Sequence, residues 1–239
     1  MILFRATLLV ASLSLTGCST LHLSAYTQDK DPLEPINRKV YVLNDALDRA
    51  LIKPVAQGYD WAMPAPAKTL VNNFFSNLDD VTVTANDLLQ FKFAQAASDG
   101  SRVLFNTTFG LGGLINVTSR LKKHNEDFGQ TLGYWGVPSG AYLMLPVWGP
   151  SSVRDGVGLY GDSVVSVIGN TQHVPTRNTV WALDKLNTRA GLLEQEAVMQ
   201  DATLDQYSFL RDAYLMRRQS LVYDGNPPRV NYEEDDEAP

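Results

Sequence analysis

Histidines, paired carboxylates and glycine clusters are the residues of this 239-residue chain that could build a reactive or ligand-binding site. None of the histidines has the i, i+4 partner that a helical zinc site needs. Asp79 and Asp80 come between two apolar stretches of helical period, where they predict a helix cap rather than an acid–base pair. The Gly-x-Ser-x-Gly elbow of serine hydrolases does not occur. The sequence therefore predicts no catalytic centre and no metal site. The histidines are His22, His124 and His173.

A glycine cluster has the spacing of a dinucleotide site but not its context. Gly156, Gly158 and Gly161 form Gly-x-Gly-x-x-Gly, which binds a cofactor when a hydrophobic strand immediately precedes it. Here the preceding residues, 150–155, predict a helix start with Pro150 near its first turn. We therefore predict that these glycines permit close helix packing, and that the chain binds no cofactor.

The most specific chemical signal is the chain's one cysteine, Cys18. It follows a positive residue, Arg5, and a short apolar stretch of signal-peptide length at residues 6–15. Leu15-Thr16-Gly17-Cys18 resembles the lipobox that bacterial lipoprotein signal peptidase cuts. The alternative is an ordinary signal peptide with an incidental cysteine.

Lipidation at Cys18 would anchor the mature chain in a membrane. The sulfur would carry a diacylglyceryl group and the new amino terminus a third acyl chain, and several chains give stable anchoring. Residues 1–17 are then a signal peptide, and residues 18–30 are a lipidated N-terminus and polar tether. By resemblance to enterobacterial lipoprotein sorting, Ser19 in place of Asp favours the outer membrane, with the body facing the periplasm.

Composition excludes several classes of protein. Beyond the N-terminus no run approaches the roughly 18 apolar residues of a membrane span. The net charge of −6 disfavours a nucleic-acid partner. Much of that charge lies in residues 233–237, five consecutive acidic residues, and we expect 223–239 to be an acidic, solvated, disordered tail.

The body, residues 31–222, reads as mainly α with very little β. Apolar residues recur with helical period in several stretches, and two long helices are predicted near 178–199 and 203–222. Arg217-Arg218 reads there as part of a solvated face. One strand is predicted, at residues 141–145. The helical stripes include Ile36, Val40, Leu43, Leu47 and Leu51; Ala67, Leu70, Val71, Phe74, Phe75 and Leu78; and Val153, Val157, Tyr160 and Val164.

Two joints between predicted helices are apolar and glycine-rich, at residues 105–115 and 128–137. Most loops are polar, so such joints are either packed on the core or face lipid. The sequence leaves both interpretations open.

Separate motifs resemble the MlaA/VacJ family of outer-membrane phospholipid-transport lipoproteins. Asp31-Pro32-Leu33-Glu34-Pro35-Ile36-Asn37-Arg38 resembles the family's DPxExxNR opening, although many relatives have Gly or a bulky apolar residue in place of Pro35. The resemblance continues to about residue 222. The other matching runs are Lys53-Pro54-Val55-Ala56, Asn73-Phe74, Asn77-Leu78, Asn86 to Gln90, Asn106 to Gly113, Phe128 to Val137, Leu145-Pro146, Gly149-Pro150-Ser151, Arg154-Asp155, Thr188-Arg189-Ala190 and Arg211 to Leu215.

This resemblance implies a fold and a function. The fold is a single helical ring-like body in the inner leaflet of the outer membrane, with an amphiphilic central channel. The function is removal of mislocalised phospholipid from the outer leaflet, which maintains lipid asymmetry. Implied partners are phospholipid, an outer-membrane porin, and a periplasmic phospholipid carrier that feeds an inner-membrane ABC transporter. A body in the leaflet would be apolar outside, with a polar path inside.

Two other functions compete with transport. One is a periplasmic phospholipase-type enzyme, against which the missing nucleophile elbow counts. The other is a porin-associated structural lipoprotein that transports nothing. We expect a protein that is not an enzyme.

By resemblance, residues 119–135 correspond to the family's hairpin beside the channel mouth. Gly129, Gly133 and Gly136 would allow its backbone to rearrange, and we hypothesise that this segment is a gate that admits lipid. The alternative is a static surface loop.

Overall fold

The structure, a computed structural model, describes residues 31–196 and 205–228. They belong to one compact unit that begins at Asp31. Within these ranges helices dominate and two short strands form one hairpin, which confirms the prediction of a mainly α fold. The signal peptide, Cys18 and the acidic run at 233–237 lie outside the described residues.

The first four helices follow one another with short connections, whereas residues 110–127 separate the fourth from the fifth. A π-helical segment, Asp48–Ile52, joins the first two. Pro35, Pro54, Pro66 and Pro175 lie in the first turns of helices, where the missing N–H costs no hydrogen bond. The first predicted stripe thus continues into a second helix at Pro54. The helices are α1 (Glu34–Leu47), α2 (Lys53–Ala62), α3 (Ala65–Leu89), α4 (Phe93–Phe109), α5 (Phe128–Tyr134), α6 (Val153–Val165), α7 (Val174–Gly191) and α8 (Gln206–Val222).

The apolar joints are partly helical. Residues 105–109 are the last turn of α4. Most of the joint at 128–137 is helix α5, because the carboxylate of Asp127 caps it by accepting the N–H of Gln130 at 2.8 Å. α7 begins earlier than predicted because the His173 ring caps it.

The strands β1 (Tyr142–Leu145) and β2 (Gly149–Ser152) pair antiparallel, with Tyr142 opposite Ser152. Asparagines of α1 bind the free edge of β1. Asn37 donates to the carbonyl of Tyr142 at 3.0 Å and accepts the N–H of Met144 at 2.9 Å. Asn44, two turns later, does the same with Leu145 and Val147. The edge is therefore satisfied by side chains rather than by another strand.

In this body many polar side chains are buried and many apolar side chains are exposed. Among the described residues, eight hydrophobic but nineteen polar or charged residues are buried. The predicted stripe of α6 is helical but faces outward, since Val157 is 58% and Val164 59% exposed. Ile36 and Leu43 on α1 and Leu51 in the π-helical segment are also exposed. Such an arrangement is the reverse of a water-soluble domain and is the one expected of a body whose outer surface meets acyl chains.

Candidate functional site

Helix α3 carries a buried polar face. Asp80 is fully buried and accepts a hydrogen bond from Nε of Arg102 on α4 at 3.0 Å. Nζ of Lys123 lies 3.1 Å from its other oxygen. Burial raises the pKa of Asp80, and the two cations oppose that rise. The prediction that Asp79-Asp80 cap a helix is wrong: both lie inside α3, where Asp80 joins α3 to α4.

A second carboxylate of α3, Asp87, is fully buried, and neither of its oxygens has a hydrogen-bond partner among the described residues. Burial, followed by the negative charges of Asp99 and Glu126, raises its pKa to about 7. His124 and Lys92 oppose the rise. This position therefore titrates near neutrality rather than near pH 4.

Hydrogen bonds run from α3 through α5 to α6. Oγ1 of Thr131 donates to Asn86 at 2.9 Å, and Asn86 donates to Oδ1 of Asp162 at 3.0 Å. The same oxygen accepts the N–H of Phe128 at 2.9 Å. Burial and the nearby charge of Asp127 raise the pKa of Asp162 to about 6. These bonds fix a carboxyl group at the wall of the cavity described below.

Arg218 of α8 holds α5 and α6 together. Its guanidinium binds both carboxylate oxygens of Asp127 and lies 2.9 Å from Asp155. Burial alone would raise the pKa of Asp127, but the hydrogen bonds and charge of Arg218 hold it below its ordinary value. The prediction that Arg217-Arg218 is a solvated face is wrong for Arg218, whose side chain is 12% exposed. A bidentate buried pair explains the difference.

A cavity of about 1030 Å³ lies between α3, α6 and α7. Its wall is mixed. Phe75, Leu78, Leu159, Trp148 and Trp181 are apolar or aromatic lining residues. The polar and charged lining residues include Asn72, Asp79, Thr82, Asp162, Arg177, Asn178, Asp184, Lys185 and Asn187. A mixed wall of this size suits an amphiphilic molecule better than a purely polar or purely apolar one.

The three glycines of the proposed gate have different surroundings. Gly129 and Gly133 lie in α5, and a Cβ on Gly133 would come within 2.8 Å of Arg154 and 2.9 Å of Val222. Gly136 follows α5 at φ +88°, with open space around it. Two of the three positions are thus tightly packed, and Gly136 retains the freedom that the hypothesis needs.

Tight packing also explains the dinucleotide-like cluster. A Cβ on Gly158 would lie 2.5 Å from the backbone nitrogen of Gly129, and one on Gly161 would meet the ring of Phe128. Gly156 has no such neighbour. The prediction of close helix packing is confirmed for Gly158 and Gly161.

Within residues 31–196 and 205–228, no three His, Cys, Asp or Glu residues are arranged to hold a metal ion. In the same ranges no helix is long and apolar enough to cross a membrane. His124, for which the sequence indicated no partner, has its Nδ1 2.6 Å from Asp99.

Apolar periodicity alone does not predict the buried polar faces of α3 and α4. Asn77, Asp80 and Asp87 recur on α3 at i, i+3 and i+10, and Asp99, Arg102 and Asn106 recur on α4 at i, i+3 and i+7. Polar residues with helical period were therefore the available signal.

Comparisons with known proteins agree on one family. Residues 29–221 match the family model described as MlaA lipoprotein. The chain is 33% identical over 203 residues to the intermembrane phospholipid transport system lipoprotein MlaA of Escherichia coli (strain K12), covering 82% of this chain and 79% of that protein. It is 30% identical over 233 residues to the protein of the same name from Haemophilus influenzae, covering 92% and 90%.

A solved structure has the same fold. It comes from work on the structural basis for maintenance of bacterial outer membrane lipid asymmetry. The TM-score is 0.71 at 30% sequence identity, and the match covers 82% of this chain and 99% of that one.

Proposed function

This chain belongs to the MlaA lipoprotein family, and from that membership we propose that it works in intermembrane phospholipid transport at the outer membrane. It removes mislocalised phospholipid from the outer leaflet and thereby maintains lipid asymmetry. Transport of an intact lipid breaks no covalent bond, so the function requires no nucleophile, metal or redox cofactor from the protein.

The observation that carries this proposal is that polar side chains are buried while many apolar side chains are exposed. Exposed apolar side chains on α1, α4 and α6 suit contact with acyl chains, while the buried carboxylates, amides and cations provide a polar interior. The mixed cavity between α3, α6 and α7 offers surfaces for both a headgroup and acyl chains. A ring-like body with this cavity as part of its central channel is the arrangement we propose.

The proposal also includes a membrane anchor for the protein and a carrier that receives the lipid. Lipidation of Cys18 holds the body at the outer membrane, facing the periplasm. The lipid passes to a periplasmic carrier, which delivers it to an inner-membrane ABC transporter, and a porin is the partner within the outer membrane. Labelled palmitate tests the anchor: wild-type protein takes up label, and Cys18→Ala does not. Label on the alanine variant would contradict the lipobox.

The function is tested by measuring surface-exposed phospholipid on intact cells of a deletion strain with and without the gene. We expect the lipid to accumulate in the deletion strain and to fall to the parental level when the gene is restored. No accumulation would contradict transport and favour a porin-associated structural role. Release of fatty acid from phospholipid by the purified protein would favour the phospholipase alternative.

A further inference from the structure

One face of helix α7 lines the cavity along more than two turns. Arg177, Trp181 and Lys185 follow one another at intervals of four residues, so they lie on the same side of the helix. The face therefore presents a cation, an indole and a second cation in sequence to whatever occupies the cavity.

The two cations differ in their pairing. Nζ of Lys185 lies 3.0 Å from its neighbour Asp184, and the Lys185 side chain is 55% exposed. Arg177 is half-buried, and within the described part of the chain its side chain makes no ion pair and no hydrogen bond. Because this guanidinium lies at the cavity without a protein anion among the described residues, its N–H donors are available to an anionic occupant.

Aromatic side chains lie beside this guanidinium position. Trp181 is one turn beyond Arg177, and its ring centroid is 6.1 Å from that of Trp148 in the β1–β2 turn. Both indoles line the cavity. Tryptophan favours the boundary between apolar and polar lipid regions, since its ring is apolar and its N–H is a donor.

We propose that Arg177 binds the phosphate of the phospholipid inside the cavity, with Trp148 and Trp181 beside the glycerol region. A guanidinium is suited to this task because its planar array of N–H donors matches two phosphate oxygens at once. This inference rests on the proposed transport function and identifies the part of the lipid that the cavity recognises. It assigns Lys185, which Asp184 already neutralises, no equivalent role.

Photo-crosslinking to the purified full chain in detergent tests the assignment with two probes. Both carry the same photoreactive acyl chain; one is phosphatidylethanolamine and the other diacylglycerol, which lacks phosphate. We expect Arg177→Gln to lower capture of the phospholipid probe about tenfold, the loss of one charge-assisted contact. Its capture of diacylglycerol should stay at the wild-type level, as should its circular dichroism spectrum.

Two variants separate charge from position. Arg177→Lys should keep part of the phospholipid capture, because an ammonium supplies the charge without the planar donor array, and Lys185→Gln on the same helix face should behave as wild type. Phospholipid capture by Arg177→Gln equal to wild type would overturn the assignment. Equal loss of both probes would overturn it as well, because the effect would then not depend on phosphate.

Inorganic phosphate distinguishes a lipid headgroup from the free anion. We expect millimolar inorganic phosphate to leave capture of the phospholipid probe unchanged. Displacement of that probe would assign the site to free phosphate and overturn the proposal. Failure of wild-type protein to capture either probe would instead contradict the transport function, so the two failures are distinguishable.

Discussion

Nε of Arg102 lies 3.0 Å from Oδ2 of Asp80, and both side chains are inside the body, the arginine 6% and the aspartate 0% exposed. The pair joins α4 to α3, where a water-soluble protein would place aliphatic side chains. In a body with few buried hydrophobic residues, such paired charges perform part of the positioning that a hydrophobic core usually performs.

Removing Arg102 takes away the buried partner of Asp80 and leaves Lys123 as the nearby cation. We expect Arg102→Met to lower the free energy of unfolding by about 3 kcal/mol or more, measured by chemical unfolding in detergent. Arg49→Met is the matched control, because the Arg49–Asp45 pair is largely exposed and should contribute no more than about 1 kcal/mol. Equal effects of the two substitutions would contradict a structural role for the buried pair.

Close contact between α5 and α6 makes Gly158 intolerant of a side chain. Since its Cβ would lie 2.5 Å from the Gly129 nitrogen, Gly158→Ala should destabilise the fold by about 1–3 kcal/mol. Gly156→Ala on the same helix meets nothing closer than 3.9 Å and should be neutral or slightly stabilising, because alanine favours helix. The measurement is thermal unfolding of both variants. A melting temperature of Gly158→Ala equal to that of wild type would show that α5 and α6 can move apart.

Asp87 should make stability depend on pH. Its pKa in the folded state, about 7, lies above its value near 4 in the unfolded chain. The folded state therefore binds more protons between these values, and stability falls as pH rises from about 4 to about 7. Asp87→Asn should match wild type in melting temperature near pH 4 and exceed it at pH 8. Exposed Asp60→Asn is the control. A constant difference across pH would contradict the assignment.

The gate hypothesis is best tested at Gly136. A β-branched residue at Gly133 would also disturb packing against Arg154 and Val222, so loss of transport there would be ambiguous. Gly136 has φ +88° and open surroundings, so the Cβ of Gly136→Ala meets no neighbour but strains the backbone at this φ and restricts its rearrangement. We expect it to slow clearance of surface phospholipid at unchanged protein level. Gly112→Ala, at φ +71° and also in open space, should clear at the wild-type rate; equal rates for both variants would argue against a gate at Gly136.

Periodicity predicted that α1, α3, α4 and α6 are helices, but not which side of each faces inward. The stripe through Val157 and Val164 on α6 has the helical period of a core face and is exposed, because periodicity records only that two faces differ. The solvent around the body decides which face is buried. The family resemblance supplied that information, and the buried asparagines and carboxylates agree with it.

Contacts between distant residues could not be predicted from spacing. Asp127 and Arg218 are 91 positions apart, and their pairing depends on how α8 packs against α5 and α6. The capping of α5 by Asp127 was local and so was available in principle from the sequence. Arg177 and Asp87 have no side-chain partner among the described residues, and this is a property of the packed body alone.

Blocking the cavity tests most directly whether lipid passes through it. Ser163 of α6 and Thr188 of α7 both line the cavity, and Ser163→Trp with Thr188→Trp would fill part of its volume. Val157→Trp with Leu183→Trp places the same side chains on the same helices at exposed positions outside the cavity lining. Surface-exposed phospholipid is measured in the deletion strain carrying each version at equal protein level. We predict that the control restores the parental level and the cavity variant leaves phospholipid on the surface; full clearance by the cavity variant would contradict passage through the cavity.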